Sequence, residues 1–160
     1  KKAEDFLQQI FRAMDLEVAI ERKDRPHSIE LNLSGHNLGI LIGKHGQTLD
    51  ALQYLVNLAA NQGLTEERVR IILDIEDYRE RREETLYRLA ARLAERCCRT
   101  NQRVVLEPMN RHERKIIHLA LQENHRVLTY SAGDEPFRKV VIEPKHRVSR
   151  MDGSMREEDY

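Results

Sequence analysis

Excess charge, paired cysteine and long apolar runs are all missing from this chain, and each absence removes a class of protein. Its 27 Lys and Arg are matched by 27 Asp and Glu, so the formal net charge is zero. That balance excludes a wholly cationic polyanion binder, although it leaves room for local basic patches. Cysteine is confined to Cys97 and Cys98, adjacent on a predicted helix. Neighbouring helical side chains point in different directions and no Cys-x-x-Cys pair exists, so both read as reduced packing residues. No stretch approaches the roughly 18 apolar residues of a membrane span, and no signal peptide is visible. The cytoplasm is the expected location.

Catalytic signatures are missing as well. There is no Walker loop, no Gly-x-Ser-x-Gly and no His-Glu-x-x-His, and the seven histidines are scattered. Asp74, Glu76 and Asp77 crowd one predicted strand exit, where their pairing with nearby arginines is the expected use. Neither an enzyme nor a metal or other cofactor is expected.

What remains is 160 residues, 40% apolar and 34% charged, enough for one sizeable domain or two small ones with modest cores. Lys1 stands where a methionine would begin a whole protein, which fits a piece of a longer chain. Leu7, Ile10, Phe11 and Met14 predict a helix over about 3–14. The period then changes to two at Leu16, Val18 and Ile20, and again at Ile29, Leu31 and Leu33. This predicts two antiparallel strands separated by the charged stretch 22–26, with a turn near Pro26. A short helix over 37–42 and a longer one over 47–61 follow, the latter striped by Leu49, Leu52, Val56 and Ala59. Val69, Ile71, Leu73 and Ile75 predict a third strand.

From Tyr78 to Thr100 there is no Gly or Pro, which predicts a long linking helix between two small domains. Leu86, Leu89, Ala90, Leu93 and Cys97 form its apolar face, and Arg81, Arg88, Arg92, Arg96 and Arg99 form a second stripe. The stripe reads either as a solvated face partly paired with Glu84 and Glu95 or as a phosphate-facing one. Beyond it come a strand over 102–107, a helix from an Asn110 N-cap with Glu113 in a capping box, and two strands over 127–131 and 138–143. The polar segment 145–160 is expected to be a flexible tail.

Two groups of residues carry chemistry. The first is Gly43-Lys44-His45-Gly46, preceded by an apolar turn ending at Ile42 and followed by a helix opening at Gln47. Glycines let a backbone approach a phosphate closely. A helix start adds N–H groups and partial positive charge, and Lys44 adds a full charge. One of Ile40, Leu41 and Ile42 can also turn an apolar face to bases. The second group is Arg114-Lys115-Ile116-Ile117-His118, with Arg111 one turn earlier. Positions four apart share a helix face, and an Arg fork beside a His ring suits a phosphate and a neighbouring base or ribose. Either group alone has a bland reading, as a helix corner or as a packing histidine.

Their contexts are more specific. Helix, glycine loop, amphipathic helix and strand, with two strands ahead of the loop, resemble a type II KH domain, whose Gly-x-x-Gly loop clamps about four nucleotides. Arg-x-x-x-His between a strand ending in Glu107-Pro108 and two Val- and Ile-rich strands resembles the R-three-H domain, associated with single-stranded nucleic acids. Together they resemble the bacterial Jag family (SpoIIIJ-associated, KhpB/EloR). Members commonly carry a further N-terminal domain, which these 160 residues do not include. The resemblance implies an α+β chain: a type II KH domain over 1–77, then the linking helix and a small α/β R-three-H domain over 78–144. It implies binding of single-stranded RNA in regulation of cell elongation, division or sporulation. A small single-KH protein, or self-association, is the implied protein partner. The expected contact residues are Ile42, Gly43, Lys44, His45, Gly46 and Gln47 in the first half and Arg111, Arg114, Lys115 and His118 in the second. The alternatives are a protein-interaction scaffold and a binder of single-stranded DNA.

Overall fold

Apolar residues at alternate positions on three short strands decide the first half. The computed structural model describes residues 1–146. It divides by its contacts into a unit Lys1–Glu84 and a second unit from Thr85 onward. In the first unit the elements run α1 (Lys2–Ala13), β1 (Val18–Arg25), β2 (Ser28–Gly35), α2 (Gly39–Ile42), a 3-10 turn (Lys44–Gly46), α3 (Gln47–Asn61) and β3 (Ile71–Ile75). The sheet order is β1-β2-β3, with β1 and β2 antiparallel and β2 and β3 parallel. Leu31 faces Leu73 and Leu33 faces Ile75 in register, all four buried. Leu7 and Phe11 of α1, Leu41 of α2, and Leu49, Leu52 and Val56 of α3 complete that core.

Two details depart from the expected pattern. The charged residues Arg22–Arg25 do not separate the strands but extend β1, leaving Pro26 and His27 as the whole connection. Strand pairing continues through them while their side chains stay exposed and pair locally, Arg22 with Asp24 at 2.8 Å and Arg25 with Glu30 at 3.2 Å. The third strand begins at Ile71 rather than Val69, because the Asn61 side chain takes the Val69 backbone, accepting from its N–H at 2.7 Å and donating to its carbonyl at 2.8 Å.

The same device recurs along α3. Asn57 accepts from the Ile71 N–H and donates to the Ile71 carbonyl, both at 2.8 Å, and Gln53 accepts from the Leu73 N–H at 2.9 Å. Gln53, Asn57 and Asn61 are four apart and share one helix face. They give the outer edge of β3 the partners that a further strand would otherwise supply.

The second unit takes most of α4 (Tyr78–Thr100), then β4 (Val104–Val105), α5 (Arg111–Leu121), β5 (Val127–Ala132) and β6 (Lys139–Pro144). Its sheet is antiparallel in the order β4-β6-β5. Leu86, Ala90, Ala94 and Cys97 of α4 and Ile116, Ile117 and Leu121 of α5 pack on Val127, Val140 and Ile142. Asn110 caps α5 as expected, its side chain accepting from the Glu113 N–H at 2.8 Å. Glu95 pairs with Arg126 at 3.4 Å, while Arg88, Arg92, Arg96 and Arg99 stay exposed along α4. Lys145 still donates its N–H to the Arg126 carbonyl at 2.9 Å. The rest of the expected tail, with Arg147 and Arg150, lies outside the described residues.

Candidate nucleic-acid interface

In the first unit the site is a corner of main chain. The Gly43 N–H closes α2 on the Gly39 carbonyl at 2.9 Å, and Gly43 then takes φ 70° and ψ −170°. Glycine alone adopts that combination readily. A Cβ there would also stand 2.1 Å from Thr48 Oγ1. Lys44 is exposed and His45 is half-buried at φ 54°, ψ 28°, a left-handed conformation unusual for a side chain. Gly46 is buried at φ 80° and is the N-cap residue of α3. It has no side chain to cap the first N–H groups of this 15-residue helix. Gln47 is exposed and Ile42 half-buried, while the neighbouring Ile40 is 60% exposed. Of the three apolar residues before the loop, Ile40 is therefore the one that presents an open hydrophobic face.

Asp74 and Glu76, at the end of β3, are engaged by backbone N–H groups. Asp74 Oδ1 accepts from the N–H groups of Ile75 and Arg79, at 2.8 Å and 3.3 Å. Glu76 Oε1 accepts from the Gly35 N–H at 3.3 Å.

In the second unit α5 and β5 border an open groove of about 1130 Å³. Arg111, Arg114, Lys115 and His118 all line it, so this half of the expected set comes together. Arg138, His112, Gln122 and Tyr130 join them, and among the described residues the lining contains no Asp or Glu. A chain of zero net charge thus concentrates cationic groups locally. Arg111 and Lys115 are exposed.

Arg114 and His118 differ from those two. Arg114 is 6% exposed; its Nη1 donates to the Met109 carbonyl at 2.7 Å and its Nη2 to the Glu135 carboxylate. The His118 ring nitrogens lie 2.7 Å from Thr129 Oγ1 and 2.9 Å from Ser131 Oγ. Burial, and then the charge of Arg114, push the His118 pKa below the usual histidine value, so the ring is held neutral. Thr129 and Ser131 were not anticipated as partners. Their two-residue spacing on a strand does put both hydroxyls on the face that also carries Val127.

Comparison with known proteins agrees with this division. The KH domain of KhpA and KhpB matches residues 1–73, and the R-three-H domain matches residues 84–144. An RNA-binding protein KhpB from Clostridium symbiosum is 48% identical over 151 residues, which cover 93% of this chain and 68% of that protein. One from Lactiplantibacillus plantarum is 46% identical over 112 residues, 70% of this chain and 34% of the relative. One from Bacillus subtilis is 37% identical over 147 residues, 91% of this chain and 70% of the relative. A likeness this deep, running through both the glycine corner and the cationic groove, means that the chain belongs to the KhpB (Jag/EloR) family of KH and R-three-H domain proteins.

Proposed function

We propose that this chain binds single-stranded RNA at two sites, one in each unit. The observation that carries the reading is the corner at Gly43–Gly46, where exposed Lys44 stands at the start of α3 and the N-cap residue is a glycine. Backbone N–H groups and Lys44 take phosphates there, with Ile42 and Gln47 flanking, and His45 donates to a phosphate or stacks on a base. In the second unit Arg111 and Lys115 take phosphates. His118 and Arg114 shape the floor of the groove. Two modest sites on one chain gain from avidity wherever one strand reaches both. The KhpB relatives are named RNA-binding proteins, which supports RNA as the ligand. The family resemblance supports a cytoplasmic, regulatory setting in elongation, division or sporulation.

The test is titration of unstructured RNA with the chain and with a Lys44→Asp, His45→Asp variant. The variant should lose binding at the first site and keep its fold. Binding should fall with salt at a log–log slope near roughly −0.7 per phosphate contacted. Unchanged titrations would remove the loop from the interface. Matched DNA oligomers in competition separate RNA from single-stranded DNA preference.

One observation favours a protein partner in addition. On α3 the outward residues Tyr54, Leu55 and Leu58 are 65%, 45% and 54% exposed and form one apolar stripe. Pairing with a second KH domain, from a small single-KH protein or another copy, would cover it. Light scattering with and without nuclease treatment separates pairing through protein from bridging by RNA.

A further inference from the structure

We propose that Tyr78 and Arg79, in the first turn of α4, are positioning residues of the RNA site at the glycine loop. Tyr78 is the floor under Gly46, and Arg79 cancels the charge of Asp50 beside the path of the phosphates. The proposal rests on the reading that this loop receives RNA.

Both residues lie beyond the KH match, which ends at residue 73, yet they belong to the contact unit that runs to Glu84. A Cβ on Gly46 would stand 2.8 Å from Tyr78 Cε1, so the ring lies directly against that glycine. Gly46 is also the N-cap residue of α3. The ring therefore sets the height of the loop's second glycine and the point where the helix starts.

Arg79 ties three elements together. Its Nε donates to the Leu73 carbonyl at 3.0 Å, its Nη1 to Asp50 Oδ1 at 2.8 Å and its Nη2 to Gln53 Oε1 at 3.3 Å. Asp50 stands in the first turn of α3, where a carboxylate suits the helix dipole but repels a phosphate. At about 1.5 Å per residue it is about 6 Å along the axis from Gly46. That is inside the Debye length of about 8 Å at physiological salt, so solvent ions do not hide it from a bound strand. The Arg79 and Asp50 side chains are 35% and 43% exposed. An ion pair that open adds little stability. Its consequence is electrostatic: the carboxylate in the first turn of α3 is accompanied by a cation.

The experiment uses the whole chain, a labelled 12-nucleotide oligouridylate, two salt concentrations and a thermal melt of each variant. Arg79→Gln should weaken binding about 3- to 10-fold at low salt and less at high salt. Adding Asp50→Asn to Arg79→Gln should restore affinity to within about twofold of the parent, although the hydrogen bonds of Arg79 remain lost. Arg79→Lys should bind nearly as the parent does. Tyr78→Phe should also bind as the parent, and Tyr78→Ala more weakly with altered amide resonances at Gly43–Gly46. If Arg79→Gln binds normally, or Asp50→Asn fails to rescue it, the role of Arg79 is overturned. If Tyr78→Ala matches Tyr78→Phe, the role of Tyr78 is overturned. In each case the Lys44→Asp, His45→Asp variant reports separately on the loop. If that variant binds normally, the reading of the loop fails and this proposal fails with it.

Discussion

Arg114 on α5, which lines the cationic groove, donates to the Glu135 carboxylate on the connection between β5 and β6, 2.5 Å away. Its second arm holds the Met109 carbonyl just ahead of α5. The arginine of the Arg-x-x-x-His pair is thus committed to the architecture of the unit, and the exposed Arg111 and Lys115 remain for ligand.

Arg114→Ala should therefore destabilise the second unit. It strands a buried carbonyl and releases Glu135. Glu135 is 58% exposed, which limits the Coulomb part, so a loss of about 2–4 kcal/mol is expected from urea melts. Arg111→Ala and Lys115→Ala should leave the melts within about 0.5 kcal/mol while lowering RNA affinity and reducing the salt slope. Equal melts for Arg114→Ala and its parent would show that the clamp contributes nothing.

His118 should make the second unit sensitive to acid. The folded state favours the neutral ring, held between Thr129 and Ser131 and facing Arg114, so its pKa is below the unfolded value of about 6.5. Its contribution is present above that unfolded value and is lost as pH falls through the lower folded one. Unfolding midpoints followed from about pH 7 to pH 5 should decline, and His118→Gln should decline less. Parallel curves for the two proteins would assign the acid sensitivity elsewhere.

His45 holds a left-handed conformation that costs a side chain about 1–2 kcal/mol and a glycine much less. His45→Gly should raise or preserve the melting temperature of the first unit while weakening RNA binding. A loss of both stability and binding would mean that the ring packs the corner instead of serving the ligand. Gly43→Ala should behave oppositely, losing stability first, because its backbone angles and the nearby Thr48 side chain both reject a Cβ.

Asn57→Leu should uncover the edge of β3. Both partners of the Ile71 peptide disappear, for an expected loss of about 2–4 kcal/mol. An unpaired edge also invites strand pairing between molecules, so light scattering should rise at high concentration. A monodisperse, equally stable variant would show that water replaces the amide fully.

Much of this protein was decided by its order of residues alone. Period-two runs at Leu31–Leu33 and Ile71–Ile75, the helical stripe at Leu49–Leu52–Val56 and the Asn110 cap are local patterns. They have the same physical meaning in any context, and the structure kept them. The glycine loop was legible for the same reason: two glycines before an apolar-periodic helix describe a tight corner wherever they occur. Local charge read less well. Arg22–Arg25 carry turn-like polarity, but their backbone had a partner in β2 and so became strand.

Only the tertiary structure decided which polar side chains are occupied. Nothing in the spacing of Arg114 says that Glu135, across a sheet connection, will meet it. Nothing near Asp50 announces Arg79, and the amides of Gln53, Asn57 and Asn61 look like ordinary surface residues until β3 lies beside them. The physical reason is range. Hydrophobic periodicity is set by neighbours along the chain, whereas a hydrogen bond or ion pair between elements exists only after the chain has brought two distant groups within about 3 Å.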